Sequence, residues 1–304
     1  MEDVTSKTWL EVALNGPWTQ KKQSGIPVKV DDIVQQGIDC VNAGASIVHV
    51  HAYDEQTGQQ KDEADIYKRI IDGIRSKVDA VVYPTVPNSG MNPIAEQSTG
   101  EDRYAHIESL AKDGYLEWTV LDPGSCNISH YDHLKKDEVG YVYQNSERDV
   151  RHGMSIARQH GLHPSYAIYE PGFIRLGATL HWRESTLEPI YRLMFSSGFT
   201  FGFPPEDYAL TAYLNLLDQV APGCNWMVSG LDVDVIPLIP RVVMEGGHIR
   251  IGLEDAPFGC LKSNVELVEK AVESIQGAGG DLARAAEVRL AASSAKRDAL
   301  SAGM

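Results

Sequence analysis

Short apolar, β-branched runs alternate along this chain with longer segments whose apolar residues recur at helical spacing. The strand-like runs are Trp9–Asn15, Ser46–His51, Ala80–Val86, Trp118–Leu121, Ser165–Tyr169, Arg192–Phe195, Trp226–Ser229 and His248–Leu253. The helical segments between and after them are Val30–Ala43, Glu63–Val78, Asp102–Lys112, Glu147–His160, Leu176–Arg183, Glu206–Val220, Val233–Met244 and Val265–Ile275. Gly or Pro marks most junctions, as helix ends and turns require. Alternation of this kind predicts a parallel sheet. Eight repeats over about 250 residues predict an α/β fold, the (β/α)8 TIM barrel. A doubly wound open sheet, which needs no closure, is the alternative. Asp281–Met304, rich in alanine and alternating charge, predicts a helix packed outside the barrel or against another subunit. No low-complexity linker intervenes, so the expected organisation is a barrel over 1–280 and a helical tail over 281–304. The longest irregular stretch, Pro87–Gly100, follows the third strand, where barrel loops carry function.

Composition narrows the partners. A net charge of −15 over 304 residues argues against nucleic acid or an anionic membrane. Any anionic substrate must then be met by local positive charge, so individual arginines matter. The four cysteines, Cys40, Cys126, Cys224 and Cys260, are scattered without metal-binding or disulfide-framework spacing, which suits reduced thiols in a cytoplasm. No apolar run approaches the roughly 20 residues that span a bilayer. The sequence Met1-Glu2-Asp3-Val4 lacks the basic and apolar regions of a signal peptide. A soluble cytoplasmic protein is expected.

Strand parity locates the chemistry. In Val48-His49-Val50-His51 the valines point outward and both imidazoles inward. In Arg250-Ile251-Gly252-Leu253-Glu254 the outward pair is Ile251 and Leu253, leaving Arg250 and Glu254 inside. Both clusters stand at C-terminal strand ends, the face on which barrel enzymes build their sites. Two neutral imidazoles and a carboxylate, with one position left open, make a natural zinc site. The plain alternative is a pair of core histidines satisfied by hydrogen bonds, although two in one layer are costly to bury without a partner. Arg250 offers a bidentate fork for a substrate carboxylate, or else pairs with a barrel carboxylate such as Glu11. Asp255 is a candidate base or a partner that orients Arg250, and Glu254-Asp255 would also serve as a helix cap. Thr85, Asn15 and the run Leu121-Asp122-Pro123-Gly124-Ser125-Cys126-Asn127 line strand ends by position more than by identity.

Ala13-Leu14-Asn15-Gly16, Ala43-Gly44-Ala45-Ser46-Ile47-Val48-His49-Val50-His51-Ala52-Tyr53-Asp54, Leu121 through Asn127, and Ile249-Arg250-Ile251-Gly252-Leu253-Glu254-Asp255-Ala256-Pro257-Phe258 resemble, in order and spacing, the β-keto acid cleavage enzymes. The resemblance extends to about Gly279. It implies a zinc-dependent barrel, usually a homotetramer, that converts a β-keto acid and acetyl-CoA into acetoacetate and a new acyl-CoA. It further implies His49, His51 and Glu254 as zinc ligands, Arg250 on the substrate carboxylate, and Asp255 in proton transfer. Thr85, Ser125 and Asn127 would hold substrate, with Asn15 beside them. Three departures stand out. Tyr53 replaces the family's usual arginine, and a Thr-Gly-Gly turn is replaced by Pro84-Thr85-Val86-Pro87-Asn88-Ser89-Gly90. Asn15-Gly16-Pro17-Trp18-Thr19 lacks the acid that receives an ammonium in the amino-substrate member. The expected substrate therefore carries no free amine and is apolar or hydroxylated against Trp18. Two rival readings are a barrel hydrolase of the amidohydrolase type and a catalytically silent metal-binding barrel. The first normally places its H-x-H on strand one, with a lysine and further histidines on later strands.

Overall fold

The computed structural model describes residues 7–87 and 99–294. Its first half runs β1 (Leu10–Ala13), α1 (Val30–Ala43), β2 (Ile47–Val50), α2 (Ala64–Arg75), β3 (Val81–Pro84), α3 (Gly100–Lys112), β4 (Trp118–Val120), β5 (Cys126–Ile128), α4 (Tyr131–Leu134), β6 (Tyr141–Tyr143) and α5 (Glu147–His160). The second half runs β7 (His163–Ile168), α6 (Pro171–Glu184), β8 (Ile190–Phe195), α7 (Asp207–Val220), β9 (Asn225–Gly230), α8 (Ile239–Met244), β10 (His248–Ile251), α9 (Asn264–Gly277) and α10 (Ala285–Ser294). Eight strands form one sheet in the order β3-β2-β1-β10-β9-β8-β7-β4, every pairing parallel. Its two end strands lie against each other, with the rings of Tyr83 (β3) and Trp118 (β4) 5.9 Å apart across the seam. The sheet thus curls into a nearly closed (β/α)8 barrel, as the alternation predicts, and the open-sheet alternative falls. Among the described residues no helix is long and apolar enough to cross a membrane.

Local chemistry explains the boundaries. Thr99, Ser146 and Ser263 each cap a helix and receive a reciprocal carboxylate three residues on, from Asp102, Asp149 and Glu266. Helix α6 begins five residues earlier than its apolar spacing suggests, because Pro171 sits in the first turn, where a missing N–H costs nothing. The expected helix over Val233–Met244 is instead a 3-10 turn (Ile236–Leu238) leading into a short α8. Pro237 and Pro240 each withhold a donor there. Most of the irregular stretch after β3, residues 88–98, lies outside the described residues. The antiparallel hairpin β5–β6, with Asn127 opposite Val142, is an addition at the C-terminal face that the periodicity did not predict.

The barrel interior is layered. At the N-terminal end Trp9 stacks on His248 at 4.1 Å and meets Trp118 at 6.0 Å. Above them is a polar layer of Glu11, Tyr83, Arg192 and Arg250, all buried. Tyr83 donates to Glu11 Oε1 at 2.7 Å, and Arg250 stands 3.4 Å from the same oxygen. The segment after Gly280 pairs with the start of the chain, Ala283 N–H donating to Thr8 O. From α10, Arg289 reaches Asp79 and Glu117 below the strands, which pins this helix to the N-terminal end of the barrel.

Candidate metal centre and active-site cavity

Parallel register sets the site. Ala13, His49 and Tyr83 are level neighbours across β1, β2 and β3, so His49 points into the barrel with Tyr83, its ring 4.8 Å away. His51 follows just past the strand end. The buried Asn15 side chain fixes that end by accepting from His51 N–H at 2.9 Å and donating to His51 O at 3.0 Å. On the other side of β1, the chain leaves β10 through Gly252, whose φ of +147° lies outside the range of L side chains and where a Cβ would meet Ala13 O at 2.1 Å. This turn brings Glu254 over the histidines. Gly16 allows the approach, since a Cβ there would sit 2.6 Å from Glu254 Cγ.

His49 Nε2 and His51 Nε2 each lie 3.5 Å from a different oxygen of Glu254. One ligand atom from each residue falls within 4.8 Å of the others. A tetrahedral metal with bonds of about 2.1 Å separates its ligands by about 3.4 Å, so the observed N–O spacings suit ligands around one ion better than hydrogen bonds. Buried His51 Nε2 and Glu254 Oε2 have no hydrogen-bond partner, a cost that a bound cation removes. His51 Nδ1 faces Gln60 Oε1 at 3.0 Å, and Gln60 donates in turn to Asp62 at 2.7 Å. If Nδ1 carries the proton, as that acceptor requires, Nε2 keeps its lone pair for a metal.

Electrostatics hold His49 and Glu254 in ligand-ready states. Burial, opposed by the Glu254 charge and aided by Arg250, keeps His49 neutral, far below the usual imidazole range. Burial works against ionising Glu254, but Arg250, His49 and His51 outweigh it and hold the carboxyl well below the ordinary range. Asp255 goes the other way: burial raises it despite its bond to Arg250. Arg250 grips Asp255 with two bonds, 2.9 Å from Nε and 2.8 Å from an NH2 that also meets Glu254 at 2.7 Å. Ser229 donates to Asp255 at 3.1 Å.

A cavity of about 260 Å³ opens over this centre, with His51 and Glu254 on its wall. Asp122, which follows β4, faces it from across the barrel, since β4 and β10 are four strands apart either way round the ring. Asp122 is buried, receives Tyr143 O–H and Ala167 N–H, and is raised above the usual carboxylate range, chiefly by burial. Tyr143 comes from the unforeseen hairpin, which roofs the cavity with Ile128 and Tyr141.

The other expected residues divide. Thr85 lines the cavity. Asn15 braces the β2 end, as described, without lining it. Ser125 is exposed and exchanges hydrogen bonds with the Asn145 backbone at 3.0 and 2.8 Å. Asn127 is exposed on β5. Arg250 and Asp255 lie behind Glu254, and every face of the Arg250 guanidinium meets a carboxylate of the protein, Glu11 included. Tyr53, in place of the family's arginine, is buried and donates to Gly16 O and to Trp18 O, the latter at 3.0 Å. It thereby fixes the loop that carries Trp18, whose indole N–H donates to Glu254 O at 2.8 Å. Gln60, Ser229, Tyr143 and Lys22 were not singled out from the sequence. Nothing in their local pattern distinguishes them from surface or strand residues.

A His-His-Glu cluster with the spacing to hold a metal ion thus stands at the mouth of a (β/α)8 barrel. The model of the β-keto acid cleavage enzyme family matches residues 7–292, and the chain belongs to that family. It is 28% identical to the 3-dehydrocarnitine:acetyl-CoA trimethylamine transferase of Rhizobium meliloti (strain 1021), over 89% of this chain and 91% of that protein. It is 24% identical to the 3-keto-5-aminohexanoate cleavage enzyme of Fusobacterium nucleatum subsp. nucleatum, over 89% of this chain and 92% of that one. Among solved structures, that of apo ObcA is similar in fold, with a TM-score of 0.69 at 16% identity. The alignment covers 87% of this chain and 64% of that longer one.

Proposed function

We propose that this chain is a zinc-dependent β-keto acid cleavage enzyme, a C-acyltransferase that uses acetyl-CoA as co-substrate. In the overall exchange, R–CO–CH2–COO⁻ and acetyl-CoA give R–CO–CoA and acetoacetate. The acyl group R–CO leaves its CH2–COO⁻ fragment for the coenzyme A sulfur, and the acetyl group joins that fragment. The observation that carries the reading is the His49, His51 and Glu254 cluster, with its orphaned polar atoms on the cavity wall, in a chain of this family.

These three residues would hold the ion, and two imidazoles with one carboxylate favour zinc. When bound, it supplies Lewis-acid polarisation of the β-keto acid's oxygens. Arg250 keeps Glu254 ionised and places positive charge behind the substrate head, so that a substrate carboxylate is attracted toward it from the cavity side of Glu254. Thr85 offers a hydroxyl on the cavity wall. Asp122 and Asp255, like Glu11 deeper in the barrel, are carboxyls raised by burial, the property a proton carrier needs near neutrality. Asp122 faces the cavity and takes or returns the substrate proton, with Tyr143 as its partner. Asp255 acts through Arg250. Ser125 and Asn127 contribute at one remove, by fixing the loop and hairpin that carry Asp122 and Tyr143. A homotetramer is the assembly that the resemblance implies, and four unpaired cysteines support a cytoplasmic setting.

Stripping the metal with a chelator and restoring zinc tests the reading. Mass spectrometry of protein incubated with acetyl-CoA and a panel of β-keto acids is expected to find a new acyl-CoA and acetoacetate with the reloaded protein only. Intact keto acids in the presence of fully metallated protein would defeat acyl transfer as the function.

A further inference from the structure

Beyond the metal centre, the wall of the active-site cavity carries a lysine, Lys22, that forms no ion pair with a carboxylate among the described residues. Lys22 Nζ lies over the rings of Phe258 at 3.9 Å and Trp18 at 4.4 Å, with Phe199 at 5.9 Å. Aromatic faces of this kind hold an ammonium in place without neutralising it. The Lys22 side chain has no hydrogen bond or ion pair with any described residue; its backbone N–H donates to Thr19 O at 2.8 Å. The neighbouring anion, Asp232, attracts the ammonium without pairing with it, and its oxygens are bonded elsewhere: Oδ2 meets His130 Nε2 at 3.0 Å and Oδ1 accepts from Phe258 N–H at 2.8 Å. His130 is engaged as well, since its Nδ1 accepts from Asp132 N–H at 3.2 Å. A free, positioned positive charge in a chain of net charge −15 calls for an anionic ligand.

Trp18 sets the distance. Its indole N–H is bonded to the backbone of Glu254 and its ring faces Lys22. The ammonium therefore stands one indole away from a metal ligand. That separates the head of a small substrate from the end of its own chain. The phosphates of coenzyme A lie much farther from the thioester, at the end of the long pantetheine arm.

We propose that Lys22 is a specificity-determining residue that binds a carboxylate at the far end of the substrate, so that the β-keto acid is a dicarboxylate. The inference rests on the function proposed above and names its substrate class. The same cage disfavours an amine-bearing or quaternary ammonium tail, because the protein's own ammonium occupies the aromatic faces such a tail would seek. It also replaces the expectation of an apolar or hydroxylated tail against Trp18, a reading that left Lys22 out of account.

The test compares kcat/KM for a β-keto dicarboxylate with that for a β-keto monocarboxylate of equal length and uncharged tail, in the wild type and in Lys22→Met and Lys22→Glu. The wild type should favour the dicarboxylate, and Lys22→Met should cut that preference by about thirtyfold, mainly through KM. Lys22→Glu should lower it further and admit an amine-bearing acid. Equal use of both acids by the wild type overturns the proposal. So does a rise in KM for acetyl-CoA that is the same for every keto acid, which would place Lys22 on the coenzyme. If no keto acid is cleaved, the reaction assignment fails, and calorimetry with unreactive dicarboxylates and monocarboxylates still decides the role of Lys22. Tighter dicarboxylate binding that Lys22→Met removes supports it, and equal binding refutes it.

Discussion

Glu254→Ala is expected to empty the metal centre and to stop acyl-CoA formation together. The substitution leaves two neutral imidazoles without the one anionic ligand, so zinc retained after gel filtration should fall far below one equivalent. With the metal gone and the neighbouring charges rearranged, turnover should drop by roughly a thousandfold or more. Glu254→Gln sharpens the result, because it preserves volume while removing the charge that Arg250 stabilises. Metal content by elemental analysis and acyl-CoA formation by mass spectrometry read the two effects separately. A catalytically silent barrel would lose metal and melting temperature and have no turnover to lose. Full zinc occupancy in Glu254→Ala would remove Glu254 from the ligand set.

Arg250→Met should be the most destabilising single change in the barrel. The guanidinium is 1% exposed and lies among Glu11, Glu254 and Asp255. Removing it strands buried negative charge, a loss of about 3–5 kcal/mol. Urea unfolding followed by linear extrapolation should show the midpoint falling with little change in slope. Arg250→Lys keeps the charge but not the two-bond fork to Asp255, and should fall between the two. The penalty of Arg250→Met should shrink as pH falls, because protonating the stranded carboxyls relieves it. A loss under about 1 kcal/mol would mean the carboxylates find other partners.

The strand positions and inward direction of His49 and Arg250 were legible because strand parity is strict and one face of each strand meets the outer helices; His51 and Glu254 were placed in the same clusters but lie past their strand ends, Glu254 turned inward by Gly252. Closure of the barrel followed from the count. What remained hidden has specific physical causes. The hairpin that supplies Tyr143 consists of two three-residue strands, too short for any period to register, and its residues read as ordinary loop. The shortened α8 reflects two prolines within an otherwise apolar helical pattern. That the Arg250 fork is held by three carboxylates of the protein depends on β1 and β10 being neighbours across the closed sheet, which only the topology reveals. The Arg250–Glu11 contact was nonetheless among the alternatives the sequence raised. Lys22 escaped notice because a lysine in a polar loop is normally solvated. Its significance comes from Phe199 and Phe258, both about 180 residues or more away in the chain.

The exchange of carbon fragments is the central claim, and isotopic labelling of the acetyl donor tests it most directly. Acetyl-CoA carrying ¹³C in both acetyl carbons is incubated with zinc-loaded protein and an unlabelled β-keto acid, and both products are analysed by mass spectrometry. Label is expected in the acetyl half of acetoacetate and none in the new acyl-CoA, whose acyl group derives from the keto acid. Label retained wholly in acetyl-CoA while the keto acid is consumed would contradict it and point to hydrolysis or decarboxylation at the same metal centre.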